Sequence, residues 1–273
     1  MRAVALHSDV LLVTSAVLRV NCVIVRGGAA GTDPPEHDGE AEAGETFVID
    51  SPILPEELDA LPALVEQAGF PAASGLLATH ADWDHLLGRL AFPDGALGCA
   101  ESTAERLAGS PGEAQRALRT FDEELMIERP RPLALGSLQP LPVPGRCDVG
   151  DRELELYATG GHTPDGMALM LGWAGVLVAG DYLSDIELPT MHDGGSVEQY
   201  LATLTRLRPL LGRAQHVVPG HGPALDGSRA LAVLEQDAAY LQALRAHGAA
   251  AELPPGRRGA VQRQLHERNV AAL

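Results

Sequence analysis

Seven imidazole and carboxylate residues recur along this chain: His80, Asp82, Asp84, His85, His162, Asp181 and His221. Six of them stand at, or within a few residues of, the end of a short apolar run. That placement constrains the fold more than any other feature. Strand ends bring distant segments to one rim of a sheet, where loops on a rigid scaffold carry function. The chain therefore needs several strands whose ends meet, and helices to cover them.

The order of elements fits. Residues 3–13 and 17–25, rich in Val and Leu and split by Thr14-Ser15-Ala16, read as neighbouring strands. A Gly-, Pro- and acid-rich stretch from Gly27 to Glu45 has no periodicity and reads as loop. Its acidic part, Asp33 to Glu45, is expected to be a solvated insertion. Thr46 to Ile49 is a strand, and 56–68 has helical spacing at Leu58, Leu61, Val65 and Ala68 despite Pro62. Ser74 to Thr79 is a strand running straight into His80. Ala96 to Ala100 follows, then helices at Glu101 to Ala108, capped by Ser102, and at 113–127. The proline-rich stretch Pro130 to Pro144 excludes regular helix and is expected to cross a surface.

The second half opens with a strand at Arg152 to Ala158. A hairpin follows, Met167 to Leu171 and Val176 to Ala179, joined by Gly172-Trp173-Ala174-Gly175. A helix at 196–208, a strand at His216 to Val218 and helices at 228–247 and 259–270 complete the chain. The long helix presents Leu231, Leu234, Ala238, Leu241 and Leu244 on one face. Two rounds of strands and helices on either side of a proline-rich break predict an α/β fold, a four-layer αββα sandwich. Residues 1–225 would form one domain, with 226–273 a helical extension packed on it.

With 273 residues the chain can bury a large core, and at 4% aromatic content that core must be mostly Leu, Val and Ala. The formal charge of -17 disfavours a surface that grips a nucleic-acid backbone. Cys22, Cys99 and Cys147 are too few and scattered for a disulfide framework, and Cys22 and Cys99 read as small buried hydrophobes. No apolar segment has membrane-spanning length and no signal-peptide pattern opens the chain, so a cytoplasmic location is the expectation.

His80 and Asp82 are two apart and, in an extended segment, face one way. Asp84 and His85 follow in a turn and address a neighbouring position. Imidazole and carboxylate are donors for zinc, iron or manganese. Seven exceed the needs of one catalytic ion, which suggests two, with a carboxylate between them.

The run Thr79-His80-Ala81-Asp82-Trp83-Asp84-His85 resembles the His-x-His-x-Asp-His signature of the metallo-beta-lactamase superfamily. Gly161-His162, Gly180-Asp181 and Gly220-His221-Gly222 resemble its later motifs in the same order. The resemblance implies an αββα sandwich with two divalent metals at one edge of its sheets. His80, Asp82 and His162 would hold the first metal, Asp84, His85 and His221 the second, and Asp181 would bridge. Asp82 stands where the family usually has histidine, as an acidic residue does in its diiron flavoprotein branch. A carboxylate there is expected to make the first position harder and more negative, which favours iron or manganese, although zinc also takes Asp.

The expected reaction is hydrolysis of a small ester, thioester or lactone by a metal-bound hydroxide. Asp84 would orient the water and His192 would donate a proton, a plain loop residue being the alternative for His192. Asp50, at a strand end, is either a support for the metal shell or a turn residue. A phosphodiesterase or nuclease, a beta-lactam hydrolase and a non-catalytic metal-stabilised binding protein remain alternatives. The partners expected are a small-molecule substrate and no nucleic acid or membrane, with a homodimer left open.

Overall fold

The computed structural model describes residues 1–28, 44–192 and 194–273. Most of the expected acidic loop, 33–43, lies outside the described residues.

The first half runs β1 (Arg2–His7), β2 (Val10–Thr14), β3 (Asn21–Gly27), β4 (Glu45–Ile49), α1 (Pro55–Gln67) and β5 (Ala73–Leu77). A 3₁₀ turn at Trp83–His85 follows, then α2 (Gly88–Ala91), β6 (Ala96–Ala100), α3 (Glu101–Gly109), α4 (Glu113–Leu125) and β7 (Leu138–Leu141). The second half runs β8 (Gly145–Val149), β9 (Arg152–Ala158), β10 (Met167–Leu171), β11 (Val176–Val178), α5 (Val197–Leu211), β12 (His216–Val218), α6 (Gly227–His247) and α7 (Ala260–Ala271). Strands β1 to β7 form one sheet in chain order, and β12-β11-β10-β9-β8 form the other. The first sheet is antiparallel from β1 to β4 and parallel from β4 to β7.

Alternation along each strand sorts the core into three layers. Val23, Val25, Ile49 and Leu77 of the first sheet meet Leu154, Leu156, Leu169 and Val178 of the second. Ile24, Val48 and Leu76 turn the other way, onto Leu58 and Leu61 of α1 and Leu118 of α4. Met170, Leu177 and Val217 face Leu204 and Leu207 of α5 and Leu234, Leu241 and Leu244 of α6. The result is the expected four-layer αββα sandwich. Cys22 and Cys99 are fully buried among apolar side chains.

Several local expectations need correction. The run 3–13 is two strands, because the Ser8-Asp9 turn folds β1 back on β2. Ser102 does not cap α3; the N-cap position is Ala100 and it carries no side-chain bond. The proline-rich stretch contributes β7, an edge strand where Pro140 removes a donor that no further strand needs. Strand β8, whose alternating Arg146, Cys147 and Asp148 hide a weak apolar signal, precedes the strand expected at Arg152. On α6 the buried face is Ala230, Val233, Leu234, Asp237, Leu241 and Leu244. Leu231 lies off that stripe and is exposed. Among the described residues no helix is long and apolar enough to cross a membrane.

Candidate metal centre

Strand ends deliver the predicted residues to one rim. His80 follows β5, His162 follows β9, Asp181 follows β11 and His221 follows β12, while Asp84 and His85 sit on the 3₁₀ turn beyond His80. The rim closes because Asn21 of β3 reaches across to the second sheet. Its backbone N–H donates to the Gly220 carbonyl at 2.8 Å, and its side-chain amide donates to the carbonyls of Pro219 and Gly222 at 2.8 Å each. Two glycines are required by close approach. A Cβ on Gly220 would stand 1.9 Å from Asp181 Oδ1, and one on Gly161, which has φ +122°, would stand 2.1 Å from the Tyr200 backbone nitrogen.

All seven residues converge. His80 Nε2 lies 3.7 Å from Asp82 Oδ2 and 3.9 Å from Asp181 Oδ2, and His162 Nε2 lies 3.4 Å and 3.2 Å from the same two oxygens. Beside them, His221 Nε2 is 3.3 Å from Asp84 Oδ2 and 3.4 Å from Asp181 Oδ2. His85 Nε2 is 3.9 Å from Asp84 Oδ2 and 3.2 Å from Asp181 Oδ1. Asp181 thus faces both groups of imidazoles, as a shared donor must.

The other ring nitrogens are occupied. His85 Nδ1 meets Asp50 Oδ2 at 2.9 Å, His162 Nδ1 meets the Thr190 carbonyl at 2.9 Å, and His221 Nδ1 meets the Leu18 carbonyl at 3.0 Å. His80 Nδ1 meets Thr79 Oγ1 at 3.0 Å. Each such contact fixes the ring and leaves Nε2 as the free donor, the arrangement of a metal-ligating histidine. Asp50, at positive φ after β4, also accepts from the Thr79 N–H at 2.8 Å and the Thr79 hydroxyl at 2.9 Å. Its role is therefore support of the cluster.

The residues fit divalent cations. The Nε2 atoms of His80, His85 and His162 and Asp181 Oδ1 are buried without a hydrogen-bond partner. Buried polar atoms are seldom left so without an ion or water. Donors about 2.0–2.2 Å from a common cation stand about 3.3–3.6 Å apart in a tetrahedron, within the range of spacings here. The electrostatics agree. Burial opposes a charged His162, yet Asp181 and Asp82 outweigh it and push the imidazole up to about 10. Burial likewise opposes charge on His85 and His221, and the surrounding carboxylates still raise both well above the ordinary histidine value. A pocket that draws protons onto its imidazoles this strongly is one that attracts cations.

His192 reaches the cluster too. Its Nδ1 lies 2.9 Å from Asp82 Oδ2, its ring lies 4.5 Å from that of His162, and its side chain is half exposed. Five of the seven residues, Asp82, Asp84, His162, Asp181 and His221, line a groove of about 690 Å³. Trp83, Leu107, Ala114 and Ala117 line it, as do Met191, Val261 and Leu265.

Sequence reading missed four residues. Arg106 of α3 grips Asp82 Oδ1 at 2.8 Å and Asp165 Oδ1 at 2.9 Å. Asp165 is buried and its Oδ2 accepts from the Ala81 N–H at 2.9 Å and the Thr103 hydroxyl at 2.8 Å. Its place in Gly161-His162-Thr163-Pro164-Asp165 was the available signal. Glu187 lines the groove with its carboxyl 3.9 Å from His221 Nδ1, where burial pushes it up. Thr190 gives no sequence signal, because it acts through its carbonyl.

The sequence model of the metallo-beta-lactamase superfamily matches residues 73–221, and the chain belongs to that superfamily. A search of curated proteins gave no significant match. Among solved structures, a metallo-beta-lactamase family protein from Thermus thermophilus superposes with TM-score 0.65 at 21% identity, covering 98% of this chain and 95% of that one. A beta-lactamase domain protein from Burkholderia ambifaria gives TM-score 0.64 at 18% identity over 99% of this chain and 87% of that one. A protein solved in a di-iron-bound form gives 0.56 at 21%, over 80% and 95% respectively. At these identities the likeness is one of fold.

Proposed function

We propose that the chain is a metal-dependent hydrolase with a two-metal centre, acting on a small ester, thioester or lactone. The observation that carries this reading is the convergence of three buried, unpartnered Nε2 atoms on the carboxylate of Asp181, which lines an open groove. His80, Asp82 and His162 would hold one divalent ion, Asp84, His85 and His221 the other, and Asp181 would be shared. Such a pair supplies Lewis acidity and lowers the pKa of water toward neutrality.

The chain's own groups divide the remaining work. Asp84 is buried on the groove floor, and as an acceptor beside His221 it orients water for attack. His192, half exposed above His162, is placed to hand a proton to a leaving group. A groove of this volume suits a small organic ligand. Its apolar walls suit an acyl chain better than a nucleic acid. Of its two arginines, Arg106 is already held by two carboxylates.

The test is metal analysis of the purified protein together with a panel of ester, thioester and lactone substrates. We expect close to two metals per chain, hydrolysis lost on chelation and regained on metal return, and turnover cut about 10²-fold or more by Asp84→Asn. Fully metal-loaded protein that hydrolyses nothing on the panel rejects the enzyme reading, and hydrolysis that survives chelation rejects the metal.

A further inference from the structure

Asp82 puts an anion where the superfamily resemblance leads one to expect a neutral imidazole, and its surroundings change what that anion does. Its two oxygens are used differently. Oδ1 is taken by the Arg106 guanidinium at 2.8 Å, while Oδ2 faces the cluster, with His192 Nδ1 at 2.9 Å, His162 Nε2 at 3.4 Å and His80 Nε2 at 3.7 Å. The other arm of the same guanidinium is fixed by Asp165, and Asp165 also holds the backbone N–H of Ala81, the residue between His80 and Asp82. Thr103, three residues before Arg106 on α3, donates to Asp165 as well. Arg106 is therefore clamped at both ends, mostly buried, and reaches the cluster from a helix that contributes none of its seven residues.

We propose that Arg106 is a positioning residue that holds Asp82 as a single-oxygen donor at the first metal position. A planar guanidinium is suited to this, since its fork fixes the carboxylate's orientation as well as offsetting its charge. Arg106 and Asp82 then work as a unit. Without Arg106, Asp82 Oδ1 is left unpaired beside buried Asp165, and the carboxylate is free to turn or to offer both oxygens. With histidine in place of Asp82, no carboxylate is left at that position for Arg106 to orient, and the guanidinium stays paired with Asp165.

This inference rests on the two-metal reading and is tested by a double-mutant cycle on metal binding, not on turnover. Zinc affinities of the two positions are measured by competition with a chromophoric chelator in wild type, Arg106→Met, Asp82→His and the double variant. We expect Arg106→Met to weaken the first position by about 10–100-fold with the second near its original value. In the Asp82→His background the same substitution should change the first position by no more than about threefold, because no carboxylate is left for the arginine to orient. A merely structural arginine would lower affinity in both backgrounds. Where Arg106→Met does not fold, Arg106→Gln, which is neutral and still able to donate to Asp165, carries the same comparison. Equal effects of the arginine substitution in both backgrounds, or no effect on the first position, overturn the proposal while leaving the metal centre standing. Wild-type protein that binds no zinc, iron or manganese overturns the centre itself.

Discussion

At the second of the two proposed metal positions, Asp84, His85 and His221 are braced from the first sheet: Asp50 at the end of β4 holds His85, and the Leu18 carbonyl just before β3 holds His221. The first position is braced from outside the sheets. His162 leans on the Thr190 carbonyl in the loop after β11, and Asp82 on Arg106 of α3. The second position thus leans on the first sheet and the loop leading into β3, and the first mainly on segments outside the sheets.

Removing the shared residue should erase the contrast. Asp181→Ala takes an oxygen from both positions, and we expect loss of both metals and a fall in turnover of about 10²–10³-fold, read by metal content and steady-state rates. Retention of two metals would show that Asp181 does not bridge. Asp50→Asn should then separate the positions. It weakens acceptance from His85 and should lower affinity at the second position about 10–100-fold, the usual cost of losing an outer partner of a metal-binding histidine. The first position feels Asp50 at one remove, through Thr79, which contacts His80, and through the His85 ring 4.2 Å from that of His80, so the change there should be smaller. Equal losses at both positions in a competition titration would contradict the division.

Both positions were legible in the sequence, because His80, His162, Asp181 and His221 each follow a strand signal and Asp84 and His85 fall in the turn that continues from His80. The layers were legible because Val, Leu and Ile runs have the period of strands and α6 that of a helix. What stayed hidden was contact between segments far apart in the chain. Nothing at Arg106, on an amphipathic helix where arginine normally meets solvent, says that it reaches Asp82 and Asp165. Strand β8 escaped because its alternate residues are polar, and Leu231 misled because the stripe of α6 is set by Ala230 and Val233 instead. His192 stood out in the sequence only as a histidine after Asp181, and its contact with Asp82 depends on how the intervening loop is held.

That loop supplies the smallest of the expected effects and the finest test of the contrast. Buried Arg257, after α6, donates to the carbonyls of Ser184 at 3.0 Å and Glu187 at 2.8 Å while paired with buried Asp237 at 2.6 Å. Asn269 of α7, also buried, donates to the Pro189 carbonyl at 2.6 Å and accepts from the Met191 N–H at 3.3 Å. Between those two anchored residues lies Thr190, whose carbonyl orients His162, and next to Met191 comes His192. Asn269→Ala therefore removes two restraints flanking the support of the first position and touches nothing that holds the second. The lost hydrogen bonds, with a buried carbonyl left unpaired, should cost about 1–3 kcal/mol, visible as a lowered Tm. A looser loop should also weaken zinc at the first position by a factor of a few, because His162 keeps its place on the chain but loses a fixed orientation. Should the second position weaken by the same factor, the two positions share their support after all, and the C-terminal helices stabilise the whole rim instead of one side of it.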